Sequence, residues 1–293
     1  MGAINFWKFI ETNFSIKDKT GQIVPFILNN PQDKYLTDMV NHYSRELTGV
    51  RDIILKARKE GFSSLILAMF ATDFLLEDYP VAAVTIADNR DETRKLLDRA
   101  RFFMNSALAK SGKTVDDICD TSNKNELVNK INGATWTIGT AGSKTALRVD
   151  SIQNLHFSEA AHFPDTDIIT ARETIEGALQ MVDQGIGKVF IESTANGYGN
   201  YYQNLEQRAY EGNSSFRSIF FGADELYSKE WLSEKEKEFT TREMFMQEYP
   251  LIREDAYMSS GSKFFDGQGI RYLQTLQREP IQTGNLSSFG EVI

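Results

Sequence analysis

The sequence predicts an α/β fold, in which helices flank a mostly parallel sheet and a small helical region follows at the C-terminal end. Between residues 50 and 193, short apolar runs alternate with helical patterns, which is typical of parallel α/β units. The runs are rich in β-branched residues, as expected of central parallel strands covered on both faces. The predicted strands are Asp52–Leu55, Val81–Ala87, Thr135–Gly139, Ile152–Phe157 and Lys188–Glu192.

Helical periodicity separates and flanks these strands. The predicted helices are Pro31–Arg45, Ser63–Leu76, Arg90–Ala109, Thr170–Gln180, Lys229–Phe239 and Thr241–Glu248. After residue 249 the periodicity weakens, and the Ser/Gly-rich stretch 259–269 is typical of a linker. We expect four regions: an N-terminal segment with one helix (1–45), a sheet-containing core (46–225), a helical linker subdomain (226–270) and a linker tail (271–293).

Composition and charge exclude several classes of protein. The 293 residues are 41% hydrophobic and 25% charged, which is ordinary for a globular chain. The single cysteine, Cys119, excludes an internal disulfide and a cysteine-based zinc cluster, and fits a reducing cytoplasm. No apolar run approaches the roughly 18 residues of a membrane helix, and the first residues lack a secretory pattern. The net charge of −9 argues against a broad nucleic-acid surface, although a local basic patch suffices for contact through a few loops.

The segment after the first core strand has the order strand, tight loop and helix N-terminus. This order directs free backbone N–H groups and the helix dipole toward an anion. A common phosphate loop reads Gly-x4-Gly-Lys-Ser/Thr. Here Gly61 and Ser63 keep their places, but Phe62 replaces the lysine. Lys56 occupies the position of the first glycine, so the segment is a partial match to a phosphate loop.

Side chains of this loop can still bind a triphosphate. Lys56 or Arg58 can reach the β- and γ-phosphates, and the Ser63 hydroxyl can ligate Mg²⁺. A plain strand–turn–helix connection with Ser63 as the helix N-cap explains the segment equally well. The loop alone leaves both interpretations open.

A carboxylate follows the fourth predicted strand. This strand ends in Ser158 and Glu159, and ligands of parallel α/β sheets bind at the carboxyl ends of strands. Glu159 can orient and polarise an attacking water, while Ser158 can hold a water in the Mg²⁺ shell. The alternative is a strand-end acid that caps the next helix. At about 100 residues after a phosphate loop, the functional interpretation is favoured.

The fifth predicted strand runs into a polar loop marked by Gly197. Hydroxyl and amide side chains in this loop, on Thr194 and Asn196, can sense a γ-phosphate and pass the change on by shifting. The alternative is a strand followed by a turn.

Taken in order, these segments resemble the motifs of one family. The similar segments are Pro25–Gln32, Lys56–Ser64, Leu155–Glu159 and Glu192–Gly197. The chain resembles the ATPase (motor) domain of the large terminase subunit of tailed bacteriophages, which packs DNA into procapsids. The resemblance covers about residues 20 to 270. It implies a P-loop NTPase-like fold of the RecA/ASCE type, hydrolysis of ATP, and ATP and Mg²⁺ as cofactors.

The resemblance also implies roles for individual residues. Gln32 matches the glutamine that reads adenine, because an amide can both donate to and accept from the base edge. Lys56 is similar to the phosphate-loop lysine in the displaced form found in part of the family, and Glu159 matches the catalytic acid. The implied ATP-binding residues are Gln32, Lys56, Arg58, Gly61, Phe62, Ser63 and Ser64. The implied coupling residues are Thr194, Ala195 and Asn196, and the implied Mg²⁺ positions are Ser63 and, through water, Ser158.

Arg148, just before the fourth predicted strand, resembles the family's arginine loop, whose guanidinium enters the ATP site of a neighbouring subunit. An arginine there stabilises charge on the transferred phosphoryl group, at roughly 10³-fold or more in rate. The alternative is a surface ion pair with Asp150 or another acid. Arg148 is therefore a third predicted catalytic residue, beside Lys56 and Glu159.

The implied partners are double-stranded DNA, the portal protein, the small terminase subunit and further copies of the chain in a homo-oligomeric ring on the procapsid. The implied location is the host cytoplasm, with no membrane partner. Phe62 and Ser158 depart from the family's lysine and aspartate, which leaves a nucleotide-binding assembly module with little turnover as one alternative. A helicase-like nucleic-acid-dependent ATPase is another. Nothing after Phe265 supplies the clustered aspartates of the family's C-terminal nuclease, so we expect a motor without that domain.

Overall fold

The computed structural model of the chain describes residues 3–18, 20–43, 47–123, 125–143, 151–167 and 169–257, together with Leu276 and Arg278. Every helix and strand named below lies in the larger of two compact units, which spans residues 1–259. Arg148, predicted as a catalytic residue, lies outside the described residues.

Eight of the strands in the described part of the chain form one sheet. In chain order the strands are β1 Ser15–Lys17, β2 Ile23–Pro25, β3 Arg51–Lys56, β4 Ala82–Ala87, β5 Cys119–Ser122, β6 Glu126–Asn129, β7 Thr135–Thr140, β8 Asn154–Ser158, β9 Lys188–Ser193 and β10 Arg217–Phe221. The order across the large sheet is β10-β3-β9-β8-β4-β7-β6-β5. Neighbours from β10 to β7 pair in parallel, whereas β6 and β5 extend the sheet antiparallel. The predicted mostly parallel sheet is confirmed, and β1 and β2 form a separate antiparallel pair.

Helices cover both faces of this sheet. They are α1 Ala3–Asn13, α2 Asn30–Tyr43, α3 Phe62–Leu76, α4 Arg90–Leu108, α5 Val115–Ile118, α6 Ala171–Leu179, α7 Tyr201–Tyr210, α8 Lys229–Glu236, α9 Arg242–Glu248 and α10 Arg253–Ala256. Successive residues of a strand face opposite sides. Ile54 and Phe190 therefore pack in the core beneath α1 to α4, while Ile53 and Ile191 pack in the core beneath α6 and α7. The result is a three-layer arrangement of helices, sheet and helices.

Helix α3 fixes the position of the loop that precedes it. Eleven of its 15 residues are buried, because it lies between the sheet and the neighbouring helices α1 and α4. A helix that is apolar on all sides is stable only in such an enclosed place. Its buried acid, Asp73, accepts hydrogen bonds from Lys188 Nζ and Asn154 Nδ2, both at 2.8 Å. These contacts attach α3 to β9 and β8.

Helices α8 and α9 form a small helical subdomain with an aromatic core. The ring of Tyr249 contacts those of Tyr227, Trp231 and Phe245 at centroid distances of 5.5–5.8 Å. Ala57, in the β3–α3 loop (residues 57–61), belongs to the same apolar cluster. The subdomain therefore packs directly on that loop. Among the described helices, none is both long enough and apolar enough to cross a bilayer.

Candidate active site

Three strand ends lie side by side at one edge of the sheet. β3, β9 and β8 are consecutive in the sheet. Lys56 and Ser158 end β3 and β8, and Glu192 is the next-to-last residue of β9 between them. Because ligands bind in the crevice outside the carboxyl ends of such strands, the loops that follow surround one space. The structure brings Lys56, Ser63, Ser158 and Glu159 together there, as expected for parts of one site.

Lys56 is the cation at the centre of this site, and it is only 3% exposed. Its Nζ atom lies 2.9 Å from Glu159 Oε1 and 3.2 Å from Glu192 Oε2. Burial acts to lower the pKa of the Lys56 ammonium, but the charges of Glu159 and Glu192 outweigh burial and raise this pKa above its ordinary value. Lys56 therefore stays protonated between two carboxylates. We call Lys56, Glu159 and Glu192 the ion triad.

Glu192 is fully buried, and its Oε1 atom accepts hydrogen bonds from two hydroxyls. Ser63 Oγ donates to it at 2.7 Å and Ser158 Oγ at 2.8 Å, while His156 Nε2 lies 3.3 Å away. Burial acts to raise the pKa of the Glu192 carboxyl, but the charge of Lys56 and these hydrogen bonds outweigh burial and lower it. Glu192 is thus an ionised carboxylate between β8 and α3. From the sequence alone it is only the end of a strand, because its role depends on which strand lies beside it.

Glu159 connects the ion triad with the loop after β9. Its Oε2 atom accepts hydrogen bonds from the Thr194 N–H group at 3.1 Å and from Ser193 Oγ at 3.3 Å. Its backbone is left-handed, with φ 55° and ψ 48°, a conformation that is unfavourable for residues other than glycine. The Glu159 side chain is 31% exposed. This carboxylate is therefore accessible to a water molecule as well as to Lys56.

Helix α3 begins at Phe62, directly after Gly61 in a left-handed conformation with φ 84°. Gly61 has no side chain, so no side-chain cap satisfies the N–H groups at this helix start. Free N–H groups and the helix dipole together favour an anion. The ring of Phe62 is fully buried against Tyr35 and Phe221, at centroid distances of 5.6 Å and 4.9 Å. Phe62, predicted as an ATP-binding residue, can therefore offer its backbone N–H group but not its ring.

Gln32 lies against the β3–α3 loop and stabilises the conformation of that loop. Its Nε2 atom donates to the Gly61 carbonyl oxygen at 2.8 Å, and its Oε1 atom accepts from the Asn29 N–H group at 3.1 Å. Asn29 Nδ2 in turn donates to the Glu60 carbonyl oxygen at 2.8 Å. The amide predicted to read adenine is thus bound to the loop backbone on one side and to Asn29 on the other. Reading of the base stays a prediction.

Arg58 and Ser64, the other predicted ATP-binding residues, make their contacts outside the ion triad. The Arg58 guanidinium pairs with Glu248 of α9 at 2.8 Å, and the backbone N–H group of Arg58 donates to the Glu248 carbonyl oxygen at 2.9 Å. Ser64 lines a cavity of about 400 Å³ together with Lys17 and Arg99. Lys56 rather than Arg58 is therefore the cation that the structure places beside the two carboxylates.

The predicted coupling residues bridge the triad and helix α9. Thr194 contacts Glu159 through its N–H group, and its hydroxyl lies 3.2 Å from His162 Nε2. Asn196 Nδ2 donates to the Ala161 carbonyl oxygen at 3.1 Å. On the other side, the Ala195 carbonyl oxygen accepts from Gln247 Nε2 at 3.3 Å. The loop after β9 therefore contacts both Glu159 and helix α9.

Glu60, in the middle of the β3–α3 loop, is a buried acid that the sequence does not single out. It is fully buried, and within the described part of the chain neither of its carboxylate oxygens has a hydrogen-bond partner. The neighbouring Ala57 N–H group donates instead to the Phe221 carbonyl oxygen at 3.2 Å. Burial raises the pKa of Glu60 to about 9, with the charge of Lys56 opposing and that of Glu225 reinforcing the shift. A glutamate in a turn is usually solvated, so no sequence pattern indicates its burial.

No family model and no curated protein matches the sequence. Solved structures do share the fold. The HK97 bacteriophage large terminase aligns with a TM-score of 0.63 and 15% identity, over 86% of this chain and 55% of that protein. The ATPase domain of the large terminase from Thermus phage P74-26 aligns with a TM-score of 0.53 and 17% identity, over 75% of this chain and 97% of that domain. The chain therefore has the fold of phage large terminase ATPase domains, and the predicted α/β class with a mostly parallel sheet flanked by helices is confirmed.

Proposed function

We propose that this chain is the ATP-hydrolysing motor domain of a viral DNA-packaging large terminase, which uses ATP and Mg²⁺ to translocate double-stranded DNA into a procapsid. The observation that carries the proposal is the ion triad: a buried lysine and a partly exposed glutamate meet beside Ser63 and the free N-terminus of α3. The fold shared with the ATPase domain of a Thermus phage terminase supports the same activity.

The residues around the ion triad fit a nucleoside triphosphate with Mg²⁺. The first N–H groups of α3 receive phosphate oxygens, and Lys56 turns from Glu159 toward the β- and γ-phosphates. Ser63 Oγ offers a hydroxyl ligand beside the Glu192 carboxylate. The described residues contain no group of three or more His, Cys, Asp or Glu side chains that could hold a metal by itself. This agrees with Mg²⁺, which is usually bound by one or two carboxylates together with substrate phosphates.

Bound ATP supplies a γ-phosphoryl group for transfer to water. Glu159 is the residue that orients this water. Once Lys56 leaves it, Glu159 Oε1 can accept a hydrogen bond from the water, while Oε2 stays bound to the Thr194 N–H group. A carboxylate held at one oxygen keeps the other in a fixed direction, which favours a near-attack arrangement.

Coupling to DNA movement follows from the contacts of the loop after β9. Thr194 touches Glu159, and Ala195 accepts from Gln247 of α9, which is next to the residue that binds Arg58. A structural change caused by loss of the γ-phosphate can therefore be transmitted to α9 through the loop after β9 and through the β3–α3 loop. We place Arg148 of a neighbouring copy at the ATP site, in a homo-oligomeric ring that works with the portal protein and the small terminase subunit in the host cytoplasm.

Glu159→Ala tests the catalytic role directly. Removing the carboxylate that orients water should lower phosphate release from Mg²⁺-ATP by about 10²–10⁴-fold. Nucleotide binding, measured by calorimetry, should persist because Lys56 and α3 remain. Glu11→Ala, at an exposed acid on α1, is the matched control and should keep the wild-type rate. Equal rates for wild type and Glu159→Ala would end the catalytic claim.

A nucleotide-binding assembly module with little turnover is the second candidate. It is favoured by the resting position of Lys56, which is bound to both Glu159 and Glu192. Such a module would bind ATP in calorimetry without releasing phosphate above the rate of Glu159→Ala. If calorimetry detects no association with adenine nucleotides, both candidates are wrong.

A further inference from the structure

The hydroxyl of Ser63 is held by a carboxylate from β9. Ser158 on β8 and Glu192 on β9 are register partners on adjacent parallel strands, with Ser158 Oγ 2.8 Å from Glu192 Oε1. Ser63 Oγ donates to the same Oε1 atom at 2.7 Å. Helix α3, β8 and β9 thus converge on one carboxylate oxygen.

The charges of the ion triad do not balance. One ammonium, on Lys56, faces the carboxylates of Glu159 and Glu192. Ser158 brings a hydroxyl to the site but no charge. When Lys56 turns toward a triphosphate, the buried Glu192 carboxylate loses its cationic partner. A buried charge without a partner is strongly unfavourable, so an ionised Glu192 is stabilised when a second cation takes the place of the ammonium.

One oxygen of Glu192 is available for that cation. Oε1 has the two serine hydroxyls and, at 3.3 Å, His156 Nε2, whereas Oε2 has the Lys56 ammonium at 3.2 Å and no hydrogen bond from the other described residues. Hard divalent cations such as Mg²⁺ prefer carboxylate and hydroxyl oxygens. Glu192 and Ser63 present one of each, already in contact.

We propose that Glu192 is the charged protein group of the Mg²⁺ site. Its Oε1 atom holds the Ser63 hydroxyl in position. When Lys56 moves to the phosphates, the Glu192 carboxylate would bind the divalent cation, or a water on that cation, in place of the ammonium. This inference rests on the proposed ATP site, and it assigns to β9 a metal-organising role in addition to the coupling role of the loop that follows.

Glu192→Gln is the sharpest variant, because it removes the charge and keeps the shape. The amide oxygen can still accept from Ser63 and Ser158, and Lys56 keeps its pair with Glu159, so the fold should persist. The probe is Mn²⁺, followed by electron paramagnetic resonance in the presence of saturating ADP. Mn²⁺ affinity should fall by about 10–100-fold, the usual effect of removing a group that supports a metal ligand. ADP affinity measured by calorimetry in EDTA should stay within a few-fold of wild type.

A second variant transfers the charge across the register pair. Ser158→Asp combined with Glu192→Gln puts the carboxylate on β8 and should recover most of the lost Mn²⁺ affinity. Unchanged Mn²⁺ affinity in Glu192→Gln, with ADP bound, would overturn the role of Glu192 and leave the proposed function intact. Loss of ADP binding in EDTA to the same extent as Mn²⁺ binding would also overturn it, since Glu192 would then support the loop and not the metal. A wild-type chain that binds no ADP would instead remove the proposed function and this inference with it.

Discussion

Lys56 lies between two carboxylates, so the crevice carries an excess of negative charge before a ligand enters. Glu159 is 31% exposed and Glu192 is fully buried, and this difference separates their chemistry. Glu159 can contact water, whereas Glu192 contacts only protein groups: Lys56, the hydroxyls of Ser63 and Ser158, and His156. The sequence singles out Lys56 and Glu159 as candidates, but their contact spans 103 residues and depends on strand order, which local patterns do not encode.

Glu60 predicts a pH dependence of stability. Its ordinary pKa of 4.5 applies to the unfolded chain, and burial raises it to about 9 in the folded state. The folded chain therefore binds this proton more tightly, so the contribution to stability is complete below pH 4.5 and is lost as the pH rises toward 9. At pH 7 the loss is roughly 3–4 kcal/mol, because this pH lies about 2.5 units above the ordinary pKa. Glu60→Gln, which needs no proton, should raise the free energy of unfolding by up to that amount at pH 7 and more at pH 8.

Urea unfolding between pH 5 and pH 9 measures this directly. The difference between Glu60→Gln and wild type should grow with pH, whereas Glu11→Gln, at an exposed acid, should run parallel to wild type. A constant difference across this range would show that Glu60 is ionised or solvated in the folded protein.

The start of helix α3 depends on a glycine. Gly61 has φ +84°, and a Cβ atom there would lie 2.7 Å from Gln32 Nε2, the atom that binds the Gly61 carbonyl oxygen. Gly61→Ala therefore adds a steric clash to the backbone strain of about 1–2 kcal/mol. We expect a total loss of about 2–4 kcal/mol in the free energy of unfolding, together with weaker nucleotide binding, because the helix start shifts.

Gly21→Ala is the matched control for Gly61→Ala. Gly21 has φ +83°, nearly the same as Gly61, but a Cβ atom there meets nothing within 4 Å. Chemical denaturation of the two variants should show only the strain cost for Gly21→Ala and a larger loss for Gly61→Ala. Equal losses would mean that Gln32 gives way easily and does not fix the loop.

Central elements were predictable, and edge elements were not. The strand predicted over Ile152–Phe157 is observed as Asn154–Ser158, because Ile152 makes only an isolated bridge to Val182. β10 escaped prediction since, as an edge strand, it buries only Phe221 and lacks a uniform apolar run. β5 is polar, and its burial comes from β6 and α5, which no local pattern reveals. A continuous apolar run indicates a strand that is buried on both faces, and β5 and β10 have no such run.

At the scale of the whole molecule, the proposed role of Arg148 predicts that ATP hydrolysis requires an assembly of several copies of the chain. If its guanidinium completes a neighbour's site, Arg148→Ala should lower ATP turnover by roughly 10³-fold while nucleotide affinity is unchanged. Arg148→Ala keeps Glu159, and Glu159→Ala keeps Arg148. A mixture of the two variants should therefore form some complete sites and regain activity.

Phosphate release from the mixture, in the presence of duplex DNA, tests this arrangement. The mixture should exceed the sum of the two variants measured separately at the same total concentration. A mixture no more active than that sum would argue that Arg148 acts within its own chain or forms a surface ion pair.

The left-handed backbone of Glu159 has a consequence for the proposed hydrolysis. A residue with a Cβ atom adopts φ 55° only where its surroundings enforce it, at a cost of about 1–3 kcal/mol. The pairing of β8 with β9 and the hydrogen bond from the Thr194 N–H group to the Glu159 side chain offset this cost when the chain folds. In the proposed mechanism, each round of hydrolysis then begins with the carboxylate already oriented, so no energy from the nucleotide is needed to orient it.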